Sequence, residues 1–298
     1  MKSAHLGVAV AILALFPGGG RPAFSTEPAS GPRIKFLDDI LCPRSASSGR
    51  DPYEERIETE RHDFTQSTTT VGRGVVQVEA GYTYLYKDNN DEIEQSHTAP
   101  ELMVRIGVSD DIEFRLRWDY AWRFVDEAEN ADSAEDLRWA FKLGVTDQDR
   151  CVPESALEVR FTAPTGGSAW TTGRVAFGLD YIYGWETASG LEVFGSTGFS
   201  TDGLGEFALL PEEPASDHFI AWTESAGVGT HLSKCTTMYA EYFGIFSHAL
   251  ADNFSMHFFN LGIDFYVTPD FVLDIRAGKG LSSDADDFFA GAGGGYRF

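Results

Sequence analysis

Between Ile112 and Phe124 the charged residues Glu113, Arg115, Arg117, Asp119 and Arg123 fall on alternate positions. Carboxylates and guanidiniums sharing one face can do two kinds of chemistry. Two carboxylates held together raise the pKa of one of them and become candidates for acid/base work. Carboxylates interleaved with arginines form ion pairs instead, and the mixed signs here favour that outcome. Nucleophilic or metal chemistry has less support. His97, His218, His248 and His257 fall in or near the connections between predicted strands, and no G-x-S-x-G element accompanies them. A Ser/His/acid group assembled across strands, as in barrel phospholipases, is the one catalytic arrangement the spacing leaves open. The sequence holds no HExxH, phosphate-binding loop or dinucleotide fingerprint. Ala163-Pro164-Thr165-Gly166-Gly167 lacks a following Lys-Ser/Thr and reads as a strand-ending turn. Cys42, Cys151 and Cys235 form neither a CxxC nor a zinc-ligand spacing, and their pairing is open. No catalytic residue, metal or cofactor is expected, and the chain does not read as an enzyme.

The positions between these charges are Ile112, Phe114, Leu116, Trp118, Tyr120, Trp122 and Phe124. A strand throws successive side chains to opposite faces, so this segment has one wholly apolar and one charged surface. A soluble sandwich also alternates, but its apolar residues seldom run so large for so many positions. The rhythm recurs from Val76 to Phe298 in segments of about ten residues, the length of a tilted membrane-spanning strand. Lipid offers the backbone no partners, so the strands must close on themselves. The predicted fold is all-β: a transmembrane antiparallel up-and-down β-barrel of about 12 strands in the outer membrane, with a cleaved signal peptide and a short N-terminal extension.

Alternation assigns Tyr82, Tyr84, Trp118, Tyr120, Trp122, Phe141, Phe177, Tyr181, Phe259 and Phe265 to the lipid face. The lumen-lining set is Glu79, Glu101, Arg105, Glu113, Arg115, Arg117, Asp119, Arg123, Arg138, Lys142, Glu158, Arg160 and Arg174, joined by Asp264, Asp274, Arg276 and Arg297. A tight turn at Ser109 to Asp111 places Glu101 opposite Asp119 and diagonal to Arg117, and Arg105 opposite Arg115 and diagonal to Glu113. A second tight turn, Thr268 to Asp270, places Asp264 opposite Asp274, with Arg276 and Arg297 to neutralise them. Such a ladder is either a polar constriction that selects solutes or a salt-bridged filling of a narrow barrel.

Residues 1–25 read as a secretory signal: Lys2, an apolar run from Leu6 to Phe16, then Ala23-Phe24-Ser25 as a cleavage site. Residues 26–70 are polar and without period, a periplasmic extension or partial plug, and 71–298 form the barrel. Short links alternate with longer ones, as periplasmic turns alternate with external loops; Asp147 to Glu154 is the exception, being longer than its place predicts. The formal charge is −23, from 46 acidic and 23 basic residues, which argues against a nucleic-acid partner. Much of that charge lies in predicted external loops, at Asp88, Asp91, Glu92, Glu94, Asp126, Glu127, Glu129, Asp132, Glu135, Asp136, Glu212, Glu213, Asp217, Asp284 and Asp286. It is a solvated rim, a divalent-cation bridge to lipopolysaccharide, or an attractor of cations.

The final strand puts Phe288, Tyr296 and Phe298 on the lipid face, and Tyr296 with Phe298 resembles the carboxyl-terminal signal read by the outer-membrane assembly machinery. Glu58-Thr59-Glu60-Arg61-His62-Asp63-Phe64-Thr65, followed by Gln77-Val78-Glu79-Ala80-Gly81-Tyr82-Thr83, resembles the entry into the MetA-pathway phenol-degradation family. Members commonly carry E-T-D-R-P-D-F-T and Q-x-E-x-G-Y-T; Glu60 and His62 stand where Asp and Pro are usual. Pro100-Glu101-Leu102, Arg105-Ile106-Gly107 and Ala163-Pro164-Thr165-Gly166 also resemble it. The resemblance implies an outer-membrane barrel with a transporter label and a suggested link to aromatic or hydrophobic compounds. The charged lumen instead points to small polar or amphipathic solutes. A channel for small-molecule solutes is the first expectation; a structural or adhesive barrel with a closed lumen, plugged by charged side chains and by Glu54 to Thr70, is the second, and a lipid-modifying barrel enzyme the third.

Overall fold

The computed structural model describes residues 55–61, 63–89, 92–126, 130–201, 220–247 and 254–298. The signal segment, Cys42, and loop acids such as Glu127 and Glu212 lie outside them, as do His62, His218 and His248. Among the described residues there is no helix, and thirteen strands follow one another: β1 (Val76–Asp88), β2 (Ile93–Gly107), β3 (Ile112–Val125), β4 (Ala131–Ala134), β5 (Leu137–Thr146), β6 (Glu154–Ala163) and β7 (Ala176–Glu186). After these come β8 (Leu191–Ser200), β9 (Ala221–Ser233), β10 (Thr236–Ser247), β11 (Phe254–Thr268), β12 (Phe271–Gly280) and β13 (Phe288–Arg297).

Every pairing is antiparallel; each strand pairs with its neighbour in sequence except at β4, which pairs with β3 while β5 pairs with β3 in turn, and β13 returns to β1. Twelve strands thus close a barrel; β4 is the extra one, a short strand beside the outer half of β3 that the period-two pattern does not reveal. Closure leaves no unpaired edge, the condition for strands in hydrocarbon. The start of β1, the end of β13 and the tight turns share one end, where Phe298 N donates to Val76 O at 2.9 Å. The long link before β6 folds back on itself through a bridge between Asp149 and Val152, with Arg150 at φ 56°, so it remains on that end as an extended hairpin tip. This is the periplasmic end of such barrels.

The register follows the tight turns. Glu101 faces Asp119, Arg105 faces Arg115, and Asp264 faces Asp274. Large apolar side chains that a water-soluble protein would bury, among them Tyr82, Trp118, Phe141, Phe259 and Phe265, are exposed on the outside. They form the lipid-facing surface. The inside is mixed. Toward the outer ends of β1, β9, β10, β11 and β13 it carries an apolar cluster of Leu85, Ala221, Phe243, Ile245, Met256, Phe258 and Phe289, and elsewhere, on β1 to β7 and on β10 to β13, it carries buried charges.

Candidate functional site

The chain before β1 does not stay outside the barrel. Ile57 N donates to Pro269 O at 2.8 Å, at the periplasmic rim, and the backbone then crosses the lumen. Glu60 and Arg61 are buried at its centre. The carbonyl of Glu58 accepts from Gln77 and from Arg105, at 2.7 and 2.8 Å. Beyond Glu60 and Arg61 the segment meets the opposite wall, where Phe64 N and Thr65 N donate to the two oxygens of Glu241 at 2.7 and 3.1 Å. It then returns along β6 and β3 to the rim: Gln66 donates to Glu158 at 3.2 Å and Val71 N to Glu113 at 2.8 Å.

Two anchors hold the crossing. Oε1 of Glu60 accepts Lys142 at 2.7 Å, Arg115 at 2.8 Å and Arg105 at 3.1 Å. Arg61 points the other way, forking between Glu101 of β2 and Asp274 of β12, both almost wholly buried. The wall makes room for it with glycine. A Cβ on Gly81 would fall 2.2 Å from the Arg61 guanidinium carbon, and one on Gly293 2.5 Å from its Nε. Phe64 docks on the apolar half instead, stacked flat on Phe243 with ring centroids 4.3 Å apart. A polar segment with one aromatic thus matches a lumen that carries buried charges around its wall and one apolar cluster.

The predicted lumen residues separate into groups. Glu79, Glu101, Arg105, Glu113, Arg115, Asp119, Lys142, Glu158, Asp264, Asp274, Arg276 and Arg297 are buried, while Arg117, Arg138 and Arg160 are partly exposed. Arg123 stands at the outer end of β3, 40% exposed, 3.6 Å from Glu94. Arg174 lies in the β6–β7 connection, outside any strand, and donates to Thr201 O at 3.0 Å.

Glu101 is answered by Arg61, while Arg117 pairs with Asp119 at 2.8 Å on its own strand. Arg297, expected beside Asp264 and Asp274, holds Asp270 at 2.7 Å nearer the rim. Arg276 donates to Thr83 at 2.7 Å and lies 3.9 Å from Glu101. Tyr296 and Phe298 project outward with rings 4.8 Å apart. Sequence reasoning missed Glu60, Arg61, Phe64 and Glu241. The signal that could have found them is the run Gly291, Gly293 and Gly295 on one inward face, which leaves room inside the wall for a segment of chain.

The crossing segment separates two chambers. The periplasmic one, about 960 Å³, is lined by Glu55, Glu58, Asp147, Glu186, Glu192 and Asp264 among others, with Arg56 seated 4.3 Å above the Tyr266 ring. The other, about 120 Å³, is lined by charges of both signs, among them Arg115, Arg117, Arg138, Arg160, Glu60, Asp63, Glu158 and Asp180, together with Phe64, Met103 and Ile182. No group of His, Cys, Asp and Glu that could hold a metal occurs among the described residues. One nucleophile-like relay exists on the outside: Ser255 Oγ lies 2.9 Å from Nε2 of His257, whose Nδ1 lies 2.6 Å from the Tyr242 hydroxyl. Its surroundings oppose acyl chemistry. Ser255 N donates to Asp284 at 2.8 Å, placing a carboxylate beside a group that an oxyanion would require.

A family model described as Putative MetA-pathway of phenol degradation matches residues 59–298. No curated protein matches the chain. Among solved structures, an outer membrane channel of the COG4313 group from Pseudomonas putida F1 is similar, with TM-score 0.62 and 12% identity, covering 81% of this chain and 100% of that one. The translocator domain of the autotransporter NalP from Neisseria meningitidis gives TM-score 0.51 at 12% identity, over 76% and 89% of the two chains. The β domain of the Bordetella autotransporter BrkA gives 0.50 at 10% identity, over 76% and 100%. At these identities the likeness is one of fold.

Proposed function

The chain belongs to the family described as MetA-pathway of phenol degradation and is an outer-membrane barrel, and from that premise we propose that it is a channel for small solutes whose bore is set by its own residues 55–71. The observation that carries this is the segment itself. A barrel serving only as a scaffold needs no chain through its middle, whereas a segment held by ion pairs and hydrogen bonds, with a chamber on each side, makes a constriction that polar groups line. The residues named above as lumen-lining act as the walls of that constriction and its approaches. Small polar or amphipathic solutes fit these walls better than a wholly apolar compound.

The chain is not an enzyme in this reading; Asp284 beside Ser255 supports that. Tyr296 and Phe298 form the signal read by the assembly machinery. The outer acids contact lipopolysaccharide through divalent cations. Residues 1–25 direct export and are removed, and 26–70 serve as the extension and partial plug.

The near-complete burial of Glu60, Arg61, Arg105 and Glu113 favours a second reading, a structural barrel that is permanently closed. Planar bilayers separate the two. The full-length protein and a variant lacking residues 58–68 are compared in symmetric salt. Discrete conductance from the intact protein, enlarged several-fold by the deletion, is expected. A folded barrel that passes no current in either form refutes the channel.

A further inference from the structure

Along β9 to β12 the outward face is apolar through the middle of the wall, with Val228, Met238, Leu261, Leu273 and Ile275 all exposed. Near the outer ends of the same strands that pattern breaks. Glu224 of β9 is exposed on the outward face, where it accepts from Thr197 Oγ1 at 2.8 Å and has no cationic partner among the described residues. Directly opposite it on β10 stands Gly244, and opposite Gly244 on β11 stands His257. A Cβ on Gly244 would lie 3.0 Å from His257 Nδ1, so the imidazole leans over the glycine toward the strand that carries Glu224. Both of its nitrogens meet hydroxyls, Tyr242 at 2.6 Å and Ser255 at 2.9 Å. Lys279 of β12 lies at the same level, opposite Phe259 on one side and Phe288 on the other. It is exposed, with no ion pair or hydrogen bond among the described residues. Among those residues it is also the only lysine or arginine on the outward face of a strand. Charged groups are costly on a wall that faces hydrocarbon and tolerable where headgroups begin. The band therefore lies at headgroup level in the leaflet opposite the periplasmic turns.

We propose that this band binds the phosphorylated sugar headgroup of one lipopolysaccharide molecule, a phosphate on Lys279 and sugar hydroxyls on Glu224, Tyr242 and the His257–Ser255 pair. An ammonium between two phenyl rings is a point charge at the membrane surface that an anionic headgroup can answer. A carboxylate can only accept, so Glu224 calls for hydroxyl or amine donors and repels a phosphate. Three strand spacings separate β9 from β12, about 14 Å. A glycerophospholipid phosphate on Lys279 does not reach that far, whereas a headgroup built of sugar rings does. The loop above the band adds Asp284, whose Oδ2 accepts from Ser255 N at 2.8 Å. A bare anion is thus disfavoured, and a headgroup rich in hydroxyls with its phosphate at one edge is the better fit. The site deepens the lipopolysaccharide contact proposed for the outer acids and rests on the same outer-membrane orientation. It differs in needing no divalent cation, and it is independent of whether the barrel conducts.

The test uses three lipids: lipid A, lipid A stripped of its phosphates, and phosphatidylglycerol. Each is titrated into the folded full-length protein in detergent containing a chelator, and retained lipid is read by native mass spectrometry. Saturable retention of one lipid A, at concentrations where phosphatidylglycerol is not retained, is expected, with weaker retention of the stripped form. Lys279→Gln should weaken lipid A binding by roughly tenfold or more, the loss of a charge-assisted contact, and Glu224→Ala several-fold. Lys234→Gln removes the same charge from the periplasmic end and should leave binding unchanged. Retained heat-modifiable gel mobility shows that each variant is folded. Equal retention of phosphatidylglycerol, or wild-type affinity in both Lys279→Gln and Glu224→Ala, overturns the inference. Binding that needs magnesium and ignores Lys279→Gln overturns it too, while sparing the cation-bridged contact of the outer acids. Binding that persists in chelator and is lost with Lys279→Gln supports the wall site without those bridges.

Discussion

Replacing Arg61 by Ala tests the constriction at its most dependent contact. In the closed arrangement Arg61 serves Glu101 and Asp274, each almost wholly buried. Removing one member of a buried ion pair costs about 3–5 kcal/mol, because the remaining charge keeps its desolvation penalty. The lower end applies here. Arg276 lies 3.9 Å from Glu101 and can answer it in part, and water can enter the space the guanidinium leaves. Asp274 has no such help, since its other oxygen is already buried without a hydrogen bond. With the segment displaced, both carboxylates face a wet lumen and that penalty disappears. The variant therefore favours the displaced state by about 3 kcal/mol relative to wild type, or roughly 100-fold in the ratio of open to closed time at 1.4 kcal/mol per decade. Single-channel recording at fixed voltage reads that ratio directly. Adding Glu101→Gln and Asp274→Asn to Arg61→Ala removes the uncompensated charges and should restore much of the closed time. An Arg61→Ala barrel that is folded, conducts and gates as wild type would show that the buried pair does not hold the segment.

Two further predictions concern the barrel's ends. Asp286, in the loop between β12 and β13, is pushed up to about 6 by burial and by the neighbouring Glu94 and Asp287, against the opposing pull of Lys87. An acid whose folded-state pKa exceeds its ordinary value of 3.8 stabilises the fold fully below that value, and the contribution is lost as pH rises through about 6. Amide exchange of residues 281–287 should accordingly be slower at pH 4 than at pH 7.5, and Asp286→Asn should remove most of that difference; exchange independent of pH after correction for its intrinsic rate would contradict it. Cys151 and Cys235 are both exposed in turns at the periplasmic end, and hydrogen bonds from Ser233 and Thr236 lower the Cys235 thiol toward thiolate, the reactive form. In a Cys42→Ser background a maleimide coupled to a large polymer should label neither thiol in intact cells and both after permeabilisation, Cys235 faster. Labelling of intact cells would invert the topology.

The wall of the barrel was legible because a strand's period and a tight turn are local. Large apolar residues at every even position from Ile112 to Phe124 define one face, and a short turn then fixes which residues oppose each other, so Glu101 with Asp119 follows from counting. Local pattern cannot report where a segment without period goes. Glu58 to Ser67 reads only as part of an extension or partial plug, without a path or partners, since its contacts lie far away in sequence: Arg61 reaches Asp274 over 213 positions and Phe64 N reaches Glu241 over 177. Arg297 was placed beside Asp264 and Asp274 in a flat ladder, but a closed cylinder has an interior, and Arg61 from the chain inside it takes Glu101 and Asp274. β4 escaped notice for another reason: Ala131, Asp132, Ser133 and Ala134 form too short a run to show alternation.

The chemistry of the segment bears on why a channel would be narrowed by ions and not by a greasy plug. Ion pairs buried in protein add little net stability, since desolvation offsets most of their attraction. For a fixed filling that is a weakness. For one that must leave, the same cancellation is useful: once Glu60 and Arg61 withdraw, they and their partners Lys142, Arg115, Glu101 and Asp274 all regain water, so neither state is strongly preferred. An apolar segment would instead leave exposed hydrocarbon on both surfaces, at about 25 cal/mol per Å², and would stay seated. The one large apolar contact, Phe64 on Phe243, then sets the direction of the residual bias, an aromatic pair adding about 0.5–1.5 kcal/mol toward the closed state beyond its buried area. On this argument the ring biases the balance toward the closed state while the matched charges give register and hold only as long as both partners are present, so the segment can be held in one position without being held permanently.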